Sequence, residues 1–190
     1  MRRAISTLAA CLSAAVANAE APYPEGWPRL KVEVDGKCPL VSGRYEYRGE
    51  PGQRQNPFPN VNFDNSGFNR MSTRGRAVSA YVVHDKDAGL ITVTIEGDDL
   101  SPADRVTFTR QVKCVNGRTT YAREARDFGN ATVGHVNYSI TQDRYGMAED
   151  GSFIVHRSSE LELRKVFGEP EKRWGEWWYR FKPRQTSDAK

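Results

Sequence analysis

Leu90-Ile91-Thr92-Val93-Thr94-Ile95-Glu96 alternates apolar and polar side chains without a break. Successive side chains of a strand point to opposite faces, so Ile91, Val93 and Ile95 share one face and Thr92, Thr94 and Glu96 the other. The segment reads as a strand with one side in a core and the other toward water.

The same signature repeats on both sides of it. Residues 77–83 are β-rich and end at His84-Asp85-Lys86-Asp87-Ala88-Gly89, a polar hairpin loop. Beyond the opening segment, 97–103 turns the chain. Residues 105–115 then align Val106, Phe108, Val112 and Cys114 on one side, which points Cys114 inward. Asn116-Gly117 follows, and both residues accept the positive φ of a type I′ turn, the strongest short hairpin signal in the chain. Residues 118–123, 131–141, 152–157, 160–166 and 174–182 supply further strands, with Asp150-Gly151 as another tight turn. Upstream, 30–34 alternates as a short strand stopped by Asp35-Gly36, and 43–48 sets Tyr45 and Tyr47 against Arg44, Glu46 and Arg48. Helix signals are limited to a turn or two at 101–105 and 121–126. About nine short strands separated by turns predict an all-β domain, a single antiparallel meander closed as an up-and-down barrel or folded as a sandwich.

Residues 49–76 break the pattern. They mix Gly, Pro, Asn and Arg with Phe58, Phe63 and Phe68 and have no period of a strand or a helix. A loop of this length is unusual in a compact domain unless it is functional, and its aromatics argue against full disorder.

The N-terminus reads as an export signal. Arg2 and Arg3 precede an apolar stretch over 5–16, and Ala17-Asn18-Ala19 before Glu20 is a small-x-small cleavage site. The expected organisation is a signal peptide over 1–19 and one β domain over 20–190. A rival reading takes Leu8-Ala9-Ala10-Cys11 as a lipobox, which would lipidate Cys11 and tether the domain to a membrane. Removing 1–19 takes away two arginines and no acid, so the net charge of +4 falls by two. That balance gives no support to a nucleic-acid partner. Cys38 and Cys114 remain, an even count in an oxidising compartment, and are expected to form a disulfide. The expected location is periplasmic or secreted, with an outer-membrane lipoprotein as the alternative.

Residues that carry chemistry are sparse. His84, His135 and His156 lie in a loop and two strands, with no metal-ligand partner at i+2 or i+4. Asp85 and Asp87 sit at calcium-loop spacing with Glu96, but Leu90 occupies the position that needs glycine, so the loop reads as a polar hairpin. No catalytic set, metal site or cofactor motif is expected. The aromatic cluster is Arg173-Trp174-Gly175-Glu176-Trp177-Trp178-Tyr179-Arg180-Phe181. Alternation puts Trp177, Tyr179 and Phe181 on one face and Trp178 and Arg180 on the other. Either the strand fills a core, or Trp174, Trp177, Trp178 and Tyr179 form an aromatic platform for an apolar or ring-shaped ligand.

Cys38-Pro39-Leu40-Val41-Ser42-Gly43-Arg44-Tyr45-Glu46-Tyr47-Arg48-Gly49-Glu50, with the closing Trp178-Tyr179-Arg180-Phe181, resembles a group of uncharacterised proteobacterial envelope proteins and lipoproteins. They open with Cys-Pro-x-Leu-x-Gly-x-Tyr-x-x-x-Gly-Glu and end in an aromatic strand; here Leu40 directly follows Pro39. The resemblance implies export and a β-fold and brings no activity. Gly43-x-Tyr45 also resembles the first-strand Gly-x-Trp of lipocalins, which would make the barrel lipocalin-like. The function expected is a non-catalytic binding module for a small apolar ligand. The alternative is a protein-interaction module, an inhibitor or envelope assembly factor, acting on an envelope partner through 49–76.

Overall fold

A computed structural model describes residues 21–32, 37–52, 77–97, 105–126, 136–164 and 171–185. In chain order the strands are β1 (Gly43–Glu46), β2 (Glu50–Pro51), β3 (Ala77–Asp85), β4 (Leu90–Gly97), β5 (Val106–Gln111) and β6 (Lys113–Val115). They are followed by β7 (Arg118–Arg126), β8 (Val136–Met147), β9 (Phe153–Arg164) and β10 (Glu171–Phe181). The fold is all-β, with two antiparallel sheets ordered β1-β3-β4-β5 and β2-β10-β9-β8-β7-β6. From β3 to β5 and from β6 to β10 each strand pairs with the next, the meander expected from the hairpin signals.

The ladders remain two sheets and do not close into a barrel. Corners join them instead, where strands switch sheets as in orthogonally packed β-structures. Between β1 and β2 the chain turns at Tyr47, whose amide donates to Val78 O at 3.1 Å. After β10, Pro183 bridges Tyr45, and Glu46 N–H donates to Lys182 O at 2.9 Å. The third corner is Val112, where β5 leaves the first sheet and β6 enters the second. Its amide donates to Gly89 O at 2.8 Å.

That third corner corrects the expected direction of Cys114. Phe108 and Val112 are buried, but the bend after Val112 ends the alternation of β5 and leaves Lys113, Cys114 and Val115 exposed. Cys114 is nonetheless bonded to buried Cys38, with Cα atoms 5.7 Å apart. The bridge fastens the segment before β1 to the edge strand of the second sheet. Closing a span of 76 residues, it stabilises by about 4 kcal/mol in the chain-entropy account.

The interior is packed with aromatic and branched side chains from both sheets. Ile91, Val93 and Ile95 are fully buried, as their alternation requires. Opposite them, the Phe153 ring lies 5.3 Å from Tyr45, 5.6 Å from Tyr145 and 6.3 Å from Phe181. Fully burying one such side chain contributes about 1.5–3 kcal/mol, so this cluster is the energetic centre of the fold.

Several boundaries differ from expectation. Leu30 makes an isolated bridge with Ala148 and is followed at Lys31 and Val32 by chain outside any strand, while the rest of the expected strand, from 33, lies outside the described residues. β3 runs on through Asp85, so His84 is a buried strand residue and not part of a loop. Residues 121–126 are strand, and β9 passes Ser158-Ser159 without interruption. β8 continues to Met147, beyond the expected end at 141, because Asp143 is buried against Arg157 and hides the strand signal. At the start of 49–76, Glu50 and Pro51 form β2 against Arg180 and Tyr179. The remainder from 53, like the signal segment and His135, lies outside the described residues.

Candidate binding groove

β10 divides the expected aromatic site between two surfaces. Tyr179 and Phe181 are buried in the interior, with Trp177 packed against the same core. Trp178 projects from the opposite face of the sheet, where it is only 3% exposed, and Trp174 is 45% exposed. The four residues Trp174, Trp177, Trp178 and Tyr179 therefore do not share one platform.

Trp178 is covered by residues 21–32, an extended arm lying across the outer face of the second sheet. Its indole Nε1–H donates to Ala21 O at 3.0 Å. Tyr23 meets it edge-on at 5.1 Å, and Trp27 meets Tyr23 edge-on at 5.9 Å. The Tyr23 hydroxyl donates to Pro28 O at 2.7 Å, and burial pushes its phenol above the ordinary range. Farther along, Lys31 N–H donates to Met147 O and Glu149 N–H to Arg29 O, each at 2.8 Å. Gly52 makes the crossing possible, since a Cβ there would lie 2.4 Å from Pro24 and 2.8 Å from Trp178. Ala148, Ile154 and Trp178 with Ala21, Tyr23, Trp27 and Leu30 thus form a second, smaller apolar cluster.

A row of polar groups runs beneath the arm. The His156 ring stacks on Trp178 at 4.0 Å and 13°. Arg144 Nη1 lies 3.2 Å from His156 Nδ1. A guanidinium cannot accept, so Nδ1 is the acceptor and the ring proton sits on Nε2, which faces Glu176 Oε2 at 3.6 Å. Glu176 in turn accepts the Ala21 N–H.

Beside this row lies a groove of about 340 Å³. Gly146, Ile154, His156 and Trp178 contribute its sheet side. Leu30 and Val32 contribute from the arm, and the Asn116-Gly117 turn from the β6–β7 hairpin. That turn holds both residues at positive φ, 50° and 72°, as the sequence predicts. Lys31, Arg118 and Arg144 add three cations, with the Arg118 guanidinium 6.0 Å from the Trp178 ring centre. A smaller hollow of about 230 Å³ adjoins the disulfide and His84.

Inside the sandwich, one ion pair interrupts the apolar core. Arg157 donates to Asp143 through Nε at 2.6 Å and Nη2 at 3.0 Å, and Tyr145 donates to the same carboxylate at 3.5 Å. Burial alone would lower the Arg157 pKa, but the adjoining Asp143 outweighs it and holds the guanidinium charged. Burial, aided by Asp143, pushes the Tyr145 phenol well up. Neither group is poised to pass a proton near neutrality. Among the described residues no cluster of His, Cys, Asp and Glu is arranged to hold a metal ion, and no helix is long and apolar enough to cross a membrane.

Sequence reasoning singled out Trp178 but not the arm, Arg118, Arg144, Ile154 or His156 as its neighbours. The available signal was the apolar Ile154 and Trp178 on a face assigned to water, together with two aromatics in the Pro-rich lead-in. No known protein family, no curated protein and no solved structure matches the chain.

Proposed function

We propose that the protein is an exported, non-catalytic binding module that holds a small, largely apolar ligand in the groove between the N-terminal arm and the outer face of the second sheet. The groove itself carries this reading. At about 340 Å³ it falls within the roughly 300–1,000 Å³ of small-molecule sites, and apolar side chains from separate elements converge on it. The interior of the sandwich is occupied by Tyr45, Tyr145, Phe153 and Phe181, so the ligand is held on the outside of the β-structure and not in a barrel lumen. The Cys38–Cys114 disulfide supports a periplasmic or secreted setting, where such bonds persist.

Native mass spectrometry of protein purified from a bacterial periplasm tests the reading, paired with Gly146→Leu. A Cβ at 146 would meet Leu30 at 3.4 Å, ordinary contact, and the rest of the leucine would occupy the groove that Gly146 lines. A co-purified small molecule present in the native protein and lost from the folded variant is the expected result. Equal retention by both proteins, or no bound molecule in either, would overturn it.

A further inference from the structure

We infer that removal of the export signal completes the arm: the α-ammonium group freed on Glu20 docks on the buried carboxylate of Glu176 and pins the start of the arm to the second sheet. The inference rests on the cut after Ala19 that the sequence predicts, and it is independent of what the groove holds. Glu176 stands in β10 on the same face as Trp178, with its side chain only 5% exposed. Its contacts among the described residues both fall on Oε2: the Ala21 amide donates to it, and His156 Nε2 lies 3.6 Å away. Neither brings a full positive charge. Ala21 offers a peptide N–H, and His156 is neutral, because its Nδ1 accepts from Arg144. A carboxylate taken out of water is costly unless a cation accompanies it.

The covalent chain brings a cation to that place once the signal is gone. Ala21 N is bonded to the carbonyl carbon of Glu20, so the α-nitrogen of residue 20 stays within about 4 Å of it at any ψ. Before cleavage that nitrogen is a peptide amide and carries no charge. Hydrolysis breaks the Ala19–Glu20 bond; the hydroxyl of water goes to the Ala19 carbonyl and its proton to the new amine. With an ordinary pKa of about 7.7–8.0, the amine takes a further proton from solvent at neutral pH. Glu176 then has a charge-assisted donor, stronger than the neutral amide beside it. The consequence reaches the groove. The arm carries Tyr23 against Trp178, and Leu30 and Val32 into the groove wall. Its far end is already fastened by the Lys31–Met147 and Glu149–Arg29 backbone bonds. The ammonium fastens the near end, so the processed chain holds its outer cover more firmly than the precursor does.

The test uses full-length protein exported and processed in a bacterial periplasm, beside a form with Ser-Gly inserted between Ala19 and Glu20, which moves the ammonium two residues away. N-terminal mass spectrometry identifies the first residue of each. The Trp178 indole N–H, bonded to Ala21 O, reports the seating of the arm by hydrogen exchange. It is expected to exchange about tenfold more slowly in the native form than in the inserted one, as a charge-assisted hydrogen bond requires. Acetylation of the α-amine by acetic anhydride should likewise be about tenfold slower in the native form. Both differences should vanish in Glu176→Gln, which keeps the size and an acceptor for the Ala21 amide but not the charge. The insertion leaves every described side chain in place, so the comparison stands even if thermal melting shows that Glu176→Gln does not fold. Equal rates in the native and inserted forms would overturn the inference, as would a difference that persists in folded Glu176→Gln. A chain starting at any residue other than Glu20, a lipidated Cys11 included, would overturn the processing step and leave the groove reading standing.

Discussion

The two faces of β10 bury their aromatics by different means. Its inner face sets Trp177, Tyr179 and Phe181 inside a cluster drawn from both sheets and from the corners at Tyr47 and Val112. Its outer face sets Trp178 against a dozen residues of extended chain. Both Phe181 and Trp178 are essentially inaccessible to water, yet the inner cover is a hydrogen-bonded sheet closed by corners and a disulfide. The outer cover is an arm held by a few backbone bonds and ring edges. Equal burial therefore does not mean equal permanence, and the less permanent cover is the one beside the groove.

The largest expected effect comes from the inner face. Phe153→Ala removes the ring at the centre of the aromatic cluster, where the surrounding strands cannot collapse to fill the space. A loss of about 3–5 kcal/mol in urea unfolding is expected. A loss below about 1 kcal/mol would mean the interior is not the packed core described, and the contrast between the faces would disappear.

A smaller effect is expected outside. Tyr23→Ala removes the ring that meets Trp178 edge-on, together with the bond to Pro28 O. Part of that surface is already solvated, so about 1–2 kcal/mol is expected, by truncating a partly buried aromatic. The readout that separates the faces is hydrogen exchange. Lys31 N–H, bonded to Met147 O, should exchange by local opening in the native protein and faster still in the variant, while amides of β9 keep their protection. Loss of protection across β9 to the same degree would show that arm and sheet open as one unit.

The contrast explains what the sequence made legible. Period-two alternation in 90–96 and 174–182 assigned side chains to faces correctly, because strand geometry permits only two directions. Positive-φ chemistry at Asn116-Gly117 located a hairpin, because few other residues adopt that turn. The missing information concerns cover. Alternation cannot say that the face opposite the core is also buried, since the burying element is an extended arm with no period of its own. Asp143 shows the same limit inside. A charged residue on the inner face ended the expected strand at 141, although Arg157, fourteen residues later, satisfies it there. Corners are hidden for a related reason: Val112 reads as one more inward residue until the switch of sheets turns Cys114 outward.

The finest comparison is between two buried histidines, one on each side of the fold. His156, on the outer face, has Arg144 at Nδ1 and Glu176 near Nε2. His84 points inward from β3, 7% exposed, and its Nδ1 has no hydrogen-bond partner among the described residues. Burial lowers the His84 pKa below its ordinary 6.5, with Lys86 acting in the same sense and Asp85 opposing. The unfolded chain, titrating near 6.5, then binds a proton more readily than the folded one. Stability from neutral His84 is fully present above that value and is lost as pH falls from it through the folded pKa. Urea midpoints measured between pH 7.5 and 5 should therefore decline in the native protein, and decline less in His84→Gln, whose amide keeps the size and does not titrate. This is the smallest of the three effects, since a single partly compensated group carries it. Parallel curves for the two proteins would show that water or a neighbouring group satisfies His84 Nδ1 as Arg144 serves Nδ1 of His156, and the two rings would then be equivalent at that atom.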